Sequence, residues 1–202
     1  ANLGLGSGNP HLIAGVQDGE IVVDLGSGAG FDSFIASKKV GPSGSVIGID
    51  MTEDMVSLSR KMALDNGYLN VDFILAEIEN LPIGNSEADL VISNCVINLS
   101  ANKQKVYDEI YRILNPGGRI AISDVVLVND LTEEMKSDEN LYCGWVTGAS
   151  SVEELEVYLK NAGFKDLDIR LESVSKEYAK KWSHNLKVGE YIMSGYIKAF
   201  KL

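Results

Sequence analysis

The 202-residue chain predicts an α/β protein, a three-layer αβα sandwich around a seven-stranded, mostly parallel sheet with an antiparallel last strand. Three observations predict it. Short apolar runs alternate with amphipathic helix-length segments, the signature of βαβ units. The first run ends in a glycine-rich turn that opens a helix. After the last helix come two strand-like runs, 167–174 and 191–200, with no comparable helix between them. Parallel neighbours need a long crossover and antiparallel ones do not, so this pair is expected to be antiparallel.

Each element has its own reason. Ile21-Val22-Val23-Asp24-Leu25 reads as a buried parallel strand. The stretch 31–40 puts Phe31, Phe34 and Ile35 on one helix face, with Asp32 in the first turn complementing the dipole. Ser45-Val46-Ile47-Gly48-Ile49-Asp50 is the second strand. Residues 52–66 form a helix that opens with Glu53 and Asp54 and stops at Gly67. Strands three and four span 71–76 and 88–93. Val106, Ile110 and Leu114 recur every four residues, and Asn115-Pro116-Gly117-Gly118 ends their helix before a fifth strand over 119–128. Ser151-Val152-Glu153-Glu154 is a capping box for a helix that closes at Gly163. In an open sheet of this kind ligands sit beyond the carboxyl ends of the strands. The site is therefore expected from 24–30, 50–52, 76–81, 93–99 and Asp124 onward.

Composition narrows the classes. Hydrophobic residues are 45% and charged residues 23%, the balance of a globular domain and not of a disordered or fibrous chain. The length suits one domain over 1–202. No apolar run approaches membrane-spanning length, and no signal peptide is visible. Eighteen basic against 29 acidic residues give −11 and a pI near 4.6, which argues against a nucleic-acid partner. Two cysteines, Cys95 and Cys143, make no disulfide framework, and a reduced, cytoplasmic setting is expected. The chain begins at Ala1, so an upstream part is expected to be missing; a monomer or homodimer is anticipated.

The most informative segment is Asp24-Leu25-Gly26-Ser27-Gly28-Ala29-Gly30. Its glycines permit a sharp turn and close ligand approach. The dinucleotide fingerprint needs glycine where Phe31 stands, and Asp24 would repel a diphosphate. An acid beside this loop suits a cation such as S-adenosyl-L-methionine. The pattern resembles the first motif of class I methyltransferases, whose fold is Rossmann-like. Asp24, Gly26, Ser27, Gly28 and Gly30 are accordingly cofactor-binding candidates. Asp50, twenty positions past Gly30, would grip the ribose hydroxyls or else cap the next helix. Met51 would pack on the adenine or simply fill the core. Glu77 is the expected acceptor for the adenine amino group, with Ile78 against the ring; Glu79 is read as solvated.

A narrower resemblance lies in the wording. Leu5-Gly6-Ser7-Gly8-Asn9-Pro10, Gly48-Ile49-Asp50-Met51-Thr52, Ala76-Glu77-Ile78-Glu79-Asn80-Leu81-Pro82, Ser93-Asn94-Cys95-Val96-Ile97-Asn98-Leu99 and Ile122-Ser123-Asp124 resemble the arsenite methyltransferases. The resemblance implies methyl transfer from S-adenosyl-L-methionine to trivalent arsenic, leaving S-adenosyl-L-homocysteine, with arsenic held by soft thiolates. It also implies cysteines where Ser7 and Trp145 stand. Cys143, two residues before Trp145, becomes the expected substrate thiol, and Cys95 is either a second one or a buried small hydrophobe. Asn94 is counted with both the catalytic and the cofactor-binding residues. Asp124 is a candidate base, or a hydrogen-bond acceptor for a neighbouring loop. His11 and His184, near the chain ends, read as surface residues more readily than as bases. The stretch 129–140 reads as a solvated helix or lid. No metal site is expected. The acceptor is a small molecule, arsenite or an organic nucleophile approached by Trp145; a non-catalytic binder of the cofactor is the alternative from another class.

Overall fold

The computed structural model describes residues 8–137, 146–173 and 188–202. Along these the order is α1 (His11–Ala14), β1 (Ile21–Leu25), α2 (Phe31–Val40), β2 (Ser45–Asp50), α3 (Glu53–Asp65), β3 (Val71–Leu75), β4 (Ala88–Asn94), α4 (Lys103–Ile113), β5 (Leu114–Leu127), α5 (Glu133–Lys136), β6 (Ser150–Ser151), α6 (Val152–Ala162), β7 (Lys165–Glu172) and β8 (Ile192–Phe200). A short 3₁₀ turn, Ile97–Leu99, follows β4.

The sheet runs β3-β2-β1-β4-β5-β8-β7. Pairs β3–β2–β1–β4–β5 are parallel, and β8 lies antiparallel to both β5 and β7. The expected reversal is therefore present, and it belongs to the last strand alone. Crossovers place β2 and β3 outward from β1 on one side, then β4 and β5 on the other. The order reverses between β1 and β4, which opens the crevice that the site occupies.

Period-two alternation sorts the side chains into two layers. Val23, Leu25 and Val91 face α4 and α6, with Tyr107, Ile110, Leu155 and Leu159. Val22, Leu90 and Ile92 face the other way, onto Ala14 of α1 and Ala36 and Val40 of α2. Each such fully buried Val, Leu or Ile side chain contributes roughly 1.5–3 kcal/mol. The same parity aims Asp24 and Asn94 toward α2, and Asp124 toward the opposite layer. The expected capping box is present on α6: Ser151 accepts the Glu154 N–H and Glu154 accepts the Ser151 N–H.

Three features differ from expectation. Strand β5 starts at Leu114 and runs through Asn115-Pro116-Gly117-Gly118, because β4 pairs with it on both sides of a register shift at Ala88/Leu90. An eighth strand, β6, pairs with Val126 and Leu127; two residues are too few to show alternation. One helical turn, α1, precedes β1, below the length at which periodicity can be read. No helix among the described residues is long and apolar enough to cross a membrane.

Candidate active site

The turn after β1 is tied to its neighbour strand by main-chain bonds. Gly26 and Ser27 both donate N–H to the Ile49 carbonyl, at 2.8 and 3.0 Å. Two of its glycines are obligatory for different reasons. Gly26 has φ 68°, and a Cβ there would lie 2.6 Å from Val96 Cβ. Gly30 has φ 90°, and a Cβ there would lie 2.7 Å from the Phe73 ring. A side chain at either position meets both left-handed strain and a collision. The turn thus lets the β1 and β4 loops touch while leaving its outer edge bare.

Beyond that edge is a cavity of about 510 Å³, the size of ordinary small-molecule sites. Gly26, Ser27, Gly28, Asp50, Met51, Ile78 and Asn94, all singled out from the sequence, line it. So do Asp32, Glu79 and Cys95, and an apolar wall that includes Phe31, Met55, Met62 and Leu99. Three carboxylates line it, and no Lys, Arg or His does among the described residues.

Asp50 receives two backbone amides: Gly28 N–H to Oδ2 and Thr52 N–H to Oδ1, each at 2.9 Å. It therefore braces the turn into α3, whose N-cap is Thr52, and it does so at the cavity wall. Each oxygen keeps a lone pair for a further donor. Met51 is 69% exposed, which excludes the plain core role. Gly30 closes the turn by donating to the Ser27 carbonyl at 2.8 Å and stands behind the lining.

Asp24 also stands behind the lining. It is buried and accepts Ser33 Oγ–H at 2.6 Å. Burial, and then the neighbouring Asp32 charge, push its pKa up to about 8, against the Ser33 hydrogen bonds that oppose the rise. The expectation that the Asp24 charge confronts a ligand is corrected by this placement. Burial favours the protonated form of Asp24, and Asp32, in the first turn of α2, presents its carboxyl group to the cavity.

Glu77 is exposed and lies outside the lining, whereas Glu79 is half-buried within it and accepts the Ser100 hydroxyl. The turn in which Asn80 N–H bonds the Glu77 carbonyl at 3.1 Å reverses the chain here. Ile78 and Glu79 therefore turn inward. Asp124 sits within β5, buried and away from the cavity, where Oδ1 accepts Asn98 Nδ2 and its neighbour Val125 N–H at 2.8 Å each. Burial pushes its pKa up to about 7 against the Val125, Asn98 and Ile97 amides. Of its two sequence readings the geometry matches the acceptor: the carboxylate holds the 97–99 turn.

Cys95 adopts φ 59°, rare for a residue with a side chain. Its N–H bonds the Ser123 carbonyl at 2.9 Å, which holds it there. It is 4% exposed. The residue lines the cavity and also packs into a second apolar cluster with Val125, Leu131, Met135 and Val146. Cys143, His184, Ser7 and Trp145 lie outside the described residues.

Two residues escaped the sequence reading. His11, expected at the surface, is buried, with Nε2 3.1 Å from the Asp32 carbonyl and 3.4 Å from Asp32 Oδ1. Asp32 was read only as a dipole partner. The only available signal was their wording in Asn9-Pro10-His11 and Gly30-Phe31-Asp32, which does not show that the two segments meet.

Comparison with known proteins agrees with this geometry. A methyltransferase-domain family matches residues 16–163. An arsenite methyltransferase of Halobacterium salinarum is 46% identical over 201 residues, covering all of this chain and 51% of its own length. One from Aquipseudomonas alcaligenes is 37% identical over 170 residues, 81% of this chain and 48% of its own. The chain thus spans about half the length of these relatives. The crystal structure of CrArsM, an arsenic(III) S-adenosylmethionine methyltransferase from Chlamydomonas reinhardtii, superposes with a TM-score of 0.79 at 34% identity, over 98% of this chain and 67% of that one. The chain belongs to the methyltransferase-domain family and is a relative of the arsenite methyltransferases.

Proposed function

We propose that this chain binds S-adenosyl-L-methionine and transfers its methyl group to a small, thiol-bound acceptor, with arsenite as the acceptor the site favours. The observation that carries the cofactor half is the lining: Asp32, Asp50 and Glu79 with no basic side chain among the described residues. Such a wall attracts a sulfonium and an ammonium and repels a diphosphate. The residues fit the cofactor on a second count. Asn94 Oδ1 and Ser27 Oγ are buried at the cavity without a hydrogen-bond partner among the described residues, and buried polar atoms are costly unless a ligand or water completes them.

In this reading Asp50 holds the ribose hydroxyls and Met51 and Ile78 flank the adenine. Glu79 replaces Glu77 as the acid nearest the base. The bound donor supplies an electrophilic methyl carbon on a positively charged leaving group. The chain contributes orientation and exclusion of water, and proximity of this kind is worth roughly 7–11 kcal/mol.

Cys95 supports arsenite as the acceptor. It is a soft ligand type, held in a strained backbone conformation at the cavity wall beside Asn94. As(III) carries its own lone pair, so transfer needs no general base, in keeping with an Asp124 engaged in holding a loop. Cys143 completes a two-thiol site in this proposal. The second reading, an organic acceptor, draws on Ser7 and Trp145, which stand where the resemblance implies cysteine. We place the protein in the cytoplasm as one domain, monomeric or homodimeric, with no nucleic-acid partner; the −11 charge supports the last point.

The test is transfer of labelled methyl from S-adenosyl-L-methionine with arsenite and a thiol present. Arsenite-dependent methylation that Cys95→Ser and Cys143→Ser each remove is the expected result. Methylation of a thiol or other organic acceptor with none of arsenite would move the assignment to the second reading.

A further inference from the structure

We infer that Asp32, together with Asn94 Oδ1, is the receptor for the α-ammonium of the methyl donor. This inference rests on the S-adenosyl-L-methionine reading above and assigns one end of that ligand. Two carboxylates lie near the glycine turn on the α2 side, and their surroundings divide the work between them. Asp24 is 2% exposed, is bonded by Ser33 Oγ–H, and is absent from the cavity wall. Asp32 is in the wall, with 16% of its side chain accessible.

Asp32 is also held in place from two sides. Asn94 Nδ2 donates to Asp32 Oδ2 and to the Gly8 carbonyl, both at 3.2 Å. The His11 ring stands against Asp32 Oδ1 and the Asp32 carbonyl. Both partners of Asn94 Nδ2 are pure acceptors, which fixes the amide orientation. Its oxygen is then the atom left over, buried at the wall without a partner among the described residues. A carboxylate and a carbonyl-type oxygen side by side, with no competing cation in the lining, are complementary to an ammonium, a donor of three N–H bonds with no acceptor. A carboxylate or phosphate group at this spot would face the Asp32 carboxyl and the Asn94 oxygen, two acceptors with no proton to offer it.

The arrangement also adds to what holds α1, whose Ala14 is packed in the core and whose Ala14 carbonyl accepts Arg119 Nε–H at 2.8 Å. A single turn of helix does not hold itself together, and His11 and the Gly8 carbonyl are pinned through Asp32 and Asn94. The N-terminal segment is thereby built into the wall that receives the amino-acid end of the ligand.

The experiment is a calorimetric cycle with three ligands. They are S-adenosyl-L-homocysteine, the same molecule lacking its α-amino group, and 5′-methylthioadenosine, which lacks the whole amino-acid end. Wild-type protein is expected to bind the complete ligand about tenfold or more tightly than the deaminated one, the scale of a hydrogen bond to a charged group. In Asp32→Asn that preference should collapse to about twofold or less, with methylthioadenosine affinity unchanged as proof of an intact fold. Asp24→Asn should cost less than Asp32→Asn. If Asp32→Asn keeps the tenfold preference, or if Asp24→Asn is the variant that abolishes it, the assignment is overturned. If Asp32→Asn does not fold, a wild-type protein that fails to distinguish the aminated from the deaminated ligand overturns it equally. A wild-type chain that binds none of the three would instead defeat the cofactor reading itself.

Discussion

The two ends of the cavity are built on different principles. The glycine-turn end is local: 26–30 hangs on Ile49, and Asp50 is clamped by Gly28 and Thr52. Its chemistry is carried by backbone and short side chains within one βαβ unit. The Asn94–Cys95 end is assembled from distant segments. Asn94 reaches Gly8 and Asp32, Cys95 bonds Ser123, and Asn98 bonds Asp124. The local end suits a ligand shared across a whole family, whereas the composite end can change with any of several segments. That difference is why the donor is readable here and the acceptor must be argued from one cysteine.

The sharpest way to break the local end is Gly26→Ala. A Cβ 2.6 Å from Val96 Cβ, at φ 68°, forces the β1 and β4 loops apart, so donor binding should fall by about a hundredfold or more. Val96→Ala placed on top should recover part of that loss in a calorimetric titration, since it removes the collision and leaves the strain. Unchanged binding in the single variant would mean that the turn is looser than its contacts imply.

At the composite end, Cys95→Ser should cut arsenite-dependent turnover by about a hundredfold, because a hydroxyl is a poor ligand for a soft centre. Donor affinity should stay within about twofold of wild type by the same titration. A parallel loss of donor binding would show that the two ends are not separable.

Asp50→Ala is the intermediate case. It removes the acceptor for two amides and for the ribose, and should weaken donor binding by roughly 1.5–3 kcal/mol. Homocysteine-type ligands without a ribose should be indifferent to it.

The smallest effect concerns Asp124. In the folded chain it keeps its proton to about pH 7, and in the unfolded chain it loses it near the ordinary value of 3.8. Between those values the folded state binds the extra proton. Its contribution to stability is therefore full at the acid end, falls as pH rises, and levels off above about pH 7. Asp124→Asn should flatten that slope in urea titrations between about pH 4 and pH 7, leaving donor affinity alone. A slope of the opposite sign would mean that the anion is the form the 97–99 turn prefers.

Legibility followed the same division. The strand boundaries at Ile21–Leu25 and Ser45–Asp50 and the helix Phe31–Val40 were readable to the residue, because β-branched runs and glycines mark them locally. The capping box at Ser151 was readable for the same reason. The cavity positions of Gly28, Asp50 and Ile78 followed from where strands end. What was not readable depends on direction or on distance. Glu77 and Glu79 have the same chemistry two residues apart, and only the turn after Leu75 decides which faces inward. Asp24 and Asp32 are both acids beside the glycines, and burial separates them: Asp24 is enclosed and favours its protonated form, whereas Asp32 reaches the cavity wall. His11 looked like a surface residue because its partner lies 21 positions away.

The central claim is that the acid-lined cavity takes a cationic nucleoside and not a dinucleotide. Titration calorimetry of the wild-type chain with S-adenosyl-L-methionine and with NAD, at one pH and salt concentration, tests it directly. Saturable binding of S-adenosyl-L-methionine, with NAD weaker by about a hundredfold or more, is the expected result; NAD binding as tightly or more so would contradict it.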